Sequence, residues 1–225
     1  MKDIFLFCTC AENNYKFYLA RIDIWYKFVQ CINADFYVFV DGRIPDEEKQ
    51  KRPNLKFVEH DRKLGMWNGS NHAGWRRSVC TALKASMDYK YVAHIENDVI
   101  LFNPKRVEEK ILTGKNISGY VEDGDYMETA IMALNDKSVN NEIIKYYSSL
   151  DNLFKNEVTE RRFQSFTDWK YDFKGSNVGI KGRNMSFDTK IKYLSCLDVD
   201  YWGQFFHYGF DFINGRFVWT GKNMV

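Results

Sequence analysis

The sequence predicts an α/β domain with one mostly parallel central sheet flanked by helices, and three observations predict it. Short apolar runs of buried-strand length alternate with stretches of helical spacing, in the order β-α-β-α-β-α-β over the first hundred residues. Crossovers of this kind are right-handed and lay successive strands parallel. The chain of 225 residues is 45% hydrophobic and 28% charged, which is ordinary globular usage with enough apolar material to fold without staples.

The elements follow in order. Residues 3–10, Asp-Ile-Phe-Leu-Phe-Cys-Thr-Cys, form a first strand. Residues 14–31 set Phe17, Leu19, Ile22, Trp25, Tyr26 and Val29 at helical spacing. A second strand, Asp35 to Val40, ends in the turn pair Asp41-Gly42. A short charged helix over Asp46–Lys51 lies between Pro45 and Pro53, and a third strand covers Leu55–Glu59. Residues 61–75 are rich in Gly and Asn and read as an ordered loop over a site. Arg76–Tyr89 is a helix with Val79, Leu83 and Met87 on one face, and Tyr91–Ile95 is the fourth strand. It runs into Glu96-Asn97-Asp98 and a short apolar run, Val99–Phe102.

The second half is less regular. Strands are expected at Glu128–Leu134, Gly175–Ile180 and Arg216–Trp219, with helices at Ser138–Leu150 and Asp198–Tyr208. Residues 151–172 fit no element and read as a flap. No repeat or linker divides the chain, so one domain is expected.

Composition excludes some classes. A net charge of +2, from 32 basic and 30 acidic residues scattered along the chain, carries no polyanion signature, so nucleic acid is not an expected partner. Five cysteines (Cys8, Cys10, Cys31, Cys80, Cys196) show no zinc-type spacing and fit buried free thiols in a reducing compartment. The start, Met-Lys-Asp, passes directly into a strand pattern, and no apolar run reaches membrane-spanning length. A cytoplasmic protein is expected, with peripheral docking on a membrane left open. The aromatic share of 17% suits either a large core or platforms for sugars and bases.

In parallel sheets, ligands gather beyond the carboxyl ends of the strands. Thr9, Asp41 and Glu96–Asp98 all fall at that edge. Glu96 and Asp98, at i and i+2 on extended chain, point the same way and could face one hard cation or its water shell; the alternative is a solvated turn. Asp41 suits a nucleoside's hydroxyls, or simply ends a strand. Arg76 and Arg77 open a helix, where a guanidinium suits a diphosphate, and Trp67 and Trp75 could stack on a ring or pin the loop. Gly175-Ser176-Asn177 would let a ligand approach the backbone closely, or form a bulged strand. Asp198, near Asp200, is either a helix N-cap or a carboxylate kept ionised for general-base work.

These pieces, in this order, resemble the GT-A (Rossmann-like) glycosyltransferases, especially the inverting ones grouped as glycosyltransferase family 2. Thr9 resembles the residue ending the family's first strand, and Val40-Asp41-Gly42-Arg43 its Asp-Asp-Gly-Ser, with one Asp and the Ser missing. Gly74-Trp75-Arg76-Arg77-Ser78 resembles its Ala-Arg-Asn helix, and Glu96-Asn97-Asp98 its Asp-x-Asp. Gly175-Ser176-Asn177 resembles its Gly-Gly-Asn strand, and Leu197-Asp198-Val199-Asp200 its Glu-Asp-x-Asp helix, with Leu197 in place of the Glu.

The resemblance implies a metal-dependent transfer from a UDP- or GDP-sugar to a hydroxyl of a glycan, lipid-linked or protein-linked acceptor. Mn2+ or Mg2+ would sit on Asp98 and Glu96. Thr9, Asp41, Arg76, Arg77 and Asn97 would hold the donor, and Gly175, Ser176 and Asn177 the acceptor. Asp198 would be the base, supported by Asp200. Residues 1–103 would form the nucleotide-sugar half and 104–225 the acceptor half. A retaining transferase and a non-catalytic sugar or nucleotide binder are the alternatives. A sugar-phosphate nucleotidyltransferase would want a Gly-rich, basic loop after the first strand, and Thr9-Cys10-Ala11-Glu12-Asn13 has neither feature.

Overall fold

The computed structural model describes residues 2–65, 72–121, 126–176, 198–202, 210–213 and 216–219. Strand β1 (Ile4–Ala11) is buried along its whole length, as a central parallel strand covered on both faces should be. It pairs in parallel with β2 (Ala34–Asp41) on one side and β4 (Tyr91–Ile95) on the other. β3 (Lys56–Glu59) extends the sheet beyond β2. On the far side, β7 (Tyr126–Ala133) pairs antiparallel with β4 and with β6 (Ile117–Val121), and β6 pairs in parallel with β8 (Lys170–Tyr171). The sheet order is therefore β3-β2-β1-β4-β7-β6-β8, with β7 the one reversed strand.

Helices follow from apolar spacing. In α1 (Tyr15–Val29), Tyr18, Leu19, Ile22, Trp25 and Val29 are buried and the face packs on β1. α2 (Asp46–Gln50) is a surface turn with acids at its start and Lys49 at its end. α3 (Ala73–Ala85) packs on β1 and β2 and carries α5 (Lys137–Tyr147), whose N-cap Asp136 accepts from the Ser138 and Val139 amides. The core is aromatic: Phe5 stacks on Tyr37 with ring centres 4.1 Å apart, and Phe7 meets Phe39 edge-on at 5.7 Å. Among the described residues the aromatic excess thus largely serves packing. No described helix is long and apolar enough to cross a membrane, and Cys8, Cys10, Cys31 and Cys80 are free thiols.

The first half matches expectation closely, and Tyr91–Ile95 agrees residue for residue. Two expectations in the second half fail. Residues 151–172 are not an open flap: they form α6 (Leu150–Leu153), α7 (Thr159–Gln164) and β8, with Leu153, Phe163 and Trp169 buried. Apolar residues spaced for two short helices give no single long period to read. Asp198 does not open a helix either. Residues 198–200 bend into β10 (Tyr201–Trp202), which lies between β5 (Ile100–Leu101) and β9 (Gly175–Ser176). Pairing partners far away in sequence decide that strand. Unforeseen elements are α4 (Pro104–Ile111), β6, and β11 (Phe210–Ile213), which pairs with β12 (Arg216–Trp219).

Candidate functional site

β1, β2 and β4 are parallel, so their carboxyl ends lie at one edge of the sheet. The turn after β4 is closed by the Val99 amide bonding to the Glu96 carbonyl at 3.1 Å. Asn97 is buried, and its Nδ2 donates to the Thr9 carbonyl, tying this turn to the end of β1. Its Oδ1 is buried without a partner among the described residues. The Glu96 amide donates to the Ala130 carbonyl at 2.7 Å, extending the antiparallel pairing of β4 with β7 and carrying Glu128 to the same edge. Trp75 donates from Nε1 to Glu96 Oε1 at 3.1 Å, so it braces the acid. Asp98, nearly buried, pairs with Arg21 of α1 at 2.6 Å.

Four carboxylates influence one another here: Glu96, Asp98, Glu128 and Glu160. Burial, reinforced by the charges of Asp98 and Glu128, pushes Glu96 well above the usual carboxylate range. Burial also lifts Glu128 to about 7, with Glu160 and Asp98 adding to the rise while the Ala130 amide opposes it. Glu160 arrives on the first turn of α7 and lies 3.5 Å from Thr129 Oγ1. Glu96, Glu128 and Glu160 have no ion pair among the described residues. His94 lies behind this group, its ring between Phe7 and Trp75. Burial lowers it to about 4, so near neutrality it is uncharged, and its Nδ1–H donates to the Thr129 carbonyl.

A second constellation ends β2. Asp41 is buried and accepts from the Leu64 and Gly65 amides at 3.0 and 2.7 Å and from Arg77 Nη2. Arg77 also donates to the Arg62 carbonyl. Gly42, at φ +112°, takes the chain out of β2 in a conformation other residues resist. Gly74 is required at the start of α3, because a Cβ there would lie 2.2 Å from Asp41 Oδ2.

The expectation that Arg76 faces a diphosphate is corrected. Its guanidinium is fully buried and donates to the carbonyls of Leu153, Lys155 and Glu157 at 3.1, 2.7 and 2.9 Å and to Thr159 Oγ1. Adjacent helical residues point about 100° apart, and this one turns inward.

Asp198 and Asp200 stand in a third group. Asp200 is fully buried and accepts from Arg106 Nε, from Lys110 Nζ at 2.9 Å and from the Lys174 amide at 2.8 Å. Asp198 is exposed, and Lys174 at 2.7 Å together with Arg106 holds it at about 2. Together they fasten the β9–β10 pair to α4. The Tyr201 ring lies against Gly175, where a Cβ would come within 2.5 Å, and its hydroxyl lies against Gly119, the cross-strand neighbour of Glu128. Ser176 belongs to β9. Asn177, Trp67 and Cys196 lie outside the described residues.

Among the described residues no three acids, histidines or cysteines converge as a closed metal cage. A Mg2+- or Mn2+-type site needs only one or two carboxylates, the remaining positions being taken by water and phosphate oxygens. Glu96 and the orphaned Asn97 Oδ1 offer oxygens of that kind, and Asp98 offers a carboxylate that is shared with Arg21.

Sequence reasoning missed Arg21, Glu128 and Glu160. Two carry a legible signal: Arg21 is a lone charge on the apolar face of α1, and Glu128 a lone acid in an apolar strand. Glu160 carries none.

No protein-family model matches the sequence, and no curated protein does. Solved structures do. The galactosyltransferase LgtC, solved in complex with donor and acceptor sugar analogues, matches over 88% of this chain and 86% of its own at 12% identity and a TM-score of 0.49. A glycosyltransferase involved in glycosylation of the major capsid of PBCV-1 matches over 89% and 94% at 13% identity and a TM-score of 0.46. The apo-form glycosyltransferase GlyE of Streptococcus pneumoniae TIGR4 matches over 90% of this chain at 12% identity and a TM-score of 0.55. This chain covers 54% of GlyE, about half of that longer protein. At such identity a likeness speaks for architecture alone, and the architecture of this chain is the single-domain GT-A fold.

Proposed function

We propose that this protein transfers a sugar from a UDP- or GDP-sugar to a hydroxyl of a glycan, lipid-linked or protein-linked acceptor, with inversion at the anomeric carbon. One observation carries the reading: in a GT-A fold, an excess of largely buried carboxylate gathers at the sheet edge where such folds bind ligands. Mn2+ or Mg2+ on Asp98 and Glu96 would, when bound, offset the charge of the departing diphosphate. Thr9 and Asn97 set the floor on which the donor rests. Asp41 positions the donor loop through the Leu64 and Gly65 amides and through Arg77, which is free of the inward commitment that Arg76 has. Gly175, Ser176 and Asn177 form the acceptor side.

The attacking hydroxyl must give up a proton. Glu128, a carboxylate at the same edge whose proton affinity burial raises, is the group to take it. Asp198, held at about 2 by two cations, is a far weaker base and anchors β9–β10 to α4 instead. Most of the acceleration then comes from positioning and from charge stabilisation.

The reading is tested by incubating the protein with a panel of UDP- and GDP-sugars, with Mn2+ or with excess chelator, and following nucleotide release and acceptor modification. Expected are nucleotide release that stops in chelator and a product whose anomeric configuration, by NMR, is opposite to the donor's. Consumption of no donor under any metal condition makes the chain a binder. A retained configuration removes Glu128 as the base of a single displacement.

A further inference from the structure

Arg21 is unusual in its place. It belongs to the buried face of α1, its side chain only 7% exposed, with the guanidinium over the rings of Phe17 and Tyr18 at 5.3 and 5.6 Å. Taking a guanidinium out of water is costly unless a partner repays it, and here the partner is Asp98, 5% exposed, at 2.6 Å. Asp98 is also the acid on which the metal reading chiefly depends. Among the described residues Glu96 and Glu128 stand near it without ion pairs, and Arg21 brings a positive charge into this acidic edge.

We infer that Arg21 is the resident counter-cation of Asp98, holding that carboxylate in position before a divalent ion arrives with the nucleotide, and that the two cations compete for it. The inference rests on the metal reading above. Its physical basis is simple. A divalent ion bound at Asp98 meets a fixed like charge a few ångströms away in a poorly solvated place, and the carboxylate it needs is already partly neutralised. The fold thereby trades metal affinity for a site that is assembled before the ion comes, so the ion binds well only when the diphosphate adds its own negative charge.

The test is Mn2+ binding, read from the electron paramagnetic resonance signal of the free ion, for Mn2+ alone and for Mn2+ with UDP or GDP. Wild type is compared with Arg21→Met, Arg21→Lys and the double variant Arg21→Met/Asp98→Asn. Arg21→Met should bind Mn2+ alone roughly tenfold more tightly or better, since one repelling charge is gone. Its dependence on added nucleotide should shrink accordingly. Arg21→Lys should behave as wild type, and the double variant should lose the gain. Melting curves without metal report folding: Arg21→Met should melt lower than wild type and regain the loss in Mn2+. If Arg21→Met does not fold, Arg21→Gln, polar but uncharged, carries the same comparison.

If wild type binds Mn2+ and the uncharged variant binds it no more tightly, Arg21 is only a structural partner and the metal reading stands alone. If neither binds Mn2+ with or without nucleotide, the inference and the metal reading fall together.

Discussion

Asp200 and Glu128 are both acids withdrawn from water in the second half of the chain, and their surroundings are opposite. Asp200 is surrounded by Arg106, Lys110 and the Lys174 amide, and the neighbouring Asp198 shares two of those residues. Glu128 has only backbone amides, Ala130 at 3.1 Å and Thr129, against acids for neighbours among the described residues. The first cluster is electrically complete and holds strands in place. The second, among the described residues, is short of positive charge, and it is there that we propose a cation binds. Charge balance separates the two roles better than residue type does.

The sharpest way to break this contrast is to neutralise each acid in turn. Glu128→Gln should lower sugar turnover by roughly a hundred- to ten-thousandfold with the fold intact, whereas Asp198→Asn should cost less than about tenfold, measured as kcat on the same donor. The contrast is lost if Asp198→Asn proves the more damaging of the two.

Next in size is stability. Asp200→Ala leaves Arg106 and Lys110 facing a hole, and breaking such a buried pair costs about 3–5 kcal/mol. Urea unfolding should show it directly. A midpoint unchanged from wild type would mean that the β9–β10 fastening is dispensable.

The smallest effect is in the pH profile, where a lowered histidine opposes raised carboxylates. His94 is lowered to about 4 from the ordinary 6.5, so the unfolded chain binds more protons between those values. Its contribution is present above about 6.5 and is lost as pH falls through 4, by about 3 kcal/mol at most. Glu128 is raised to about 7 from the ordinary 4.5, so its contribution is present below 4.5 and lost as pH rises through 7. Glu96, raised by burial as well, acts in the same sense as Glu128, so wild-type stability should decline as pH rises from 4.5 to 6.5. Glu128→Gln should have a flatter profile than wild type over that range and be the more stable of the two above pH 7, while His94→Gln should grow steadily more stable as pH falls from 7. Parallel profiles for all three proteins in a pH series of urea melts would show that neither shift is real.

Much of this was legible because it is local. The β1-to-β4 series announces itself by apolar runs and by turn residues such as Asp41-Gly42, and strand ends then locate Thr9, Asp41, Glu96 and Asp98 without further information. β6 was hidden because Ile-Ser-Gly-Tyr-Val lacks an apolar alternation, and α4 because only Val107 and Ile111 of its eight residues are buried. The acidic edge was half legible for a related reason. Glu128 reaches it through antiparallel pairing in which Ile131 faces Ile95, a register set by the hairpin and the core rather than by neighbours in sequence. The helix start expected at Asp198 was misread because the placing of this residue depends on Arg106 and Lys174, 92 and 24 residues away.

Arg76 has a consequence beyond its own burial. Its guanidinium gathers the chain from Leu153 to Thr159 by its carbonyls, and Thr159 is the residue before Glu160. The same turn of α3 holds Arg77 against Asp41. One stretch of helix thus sets, through two adjacent side chains facing different ways, both the loop at the end of β2 and the position of an acid more than eighty residues downstream. Tilting that helix by a few degrees would shift both together, so α3 is a mechanical linkage between what we read as the donor side and the acidic edge. Lysine in place of Arg76, with one ammonium for a fork that serves five groups, would leave the charge and loosen the linkage.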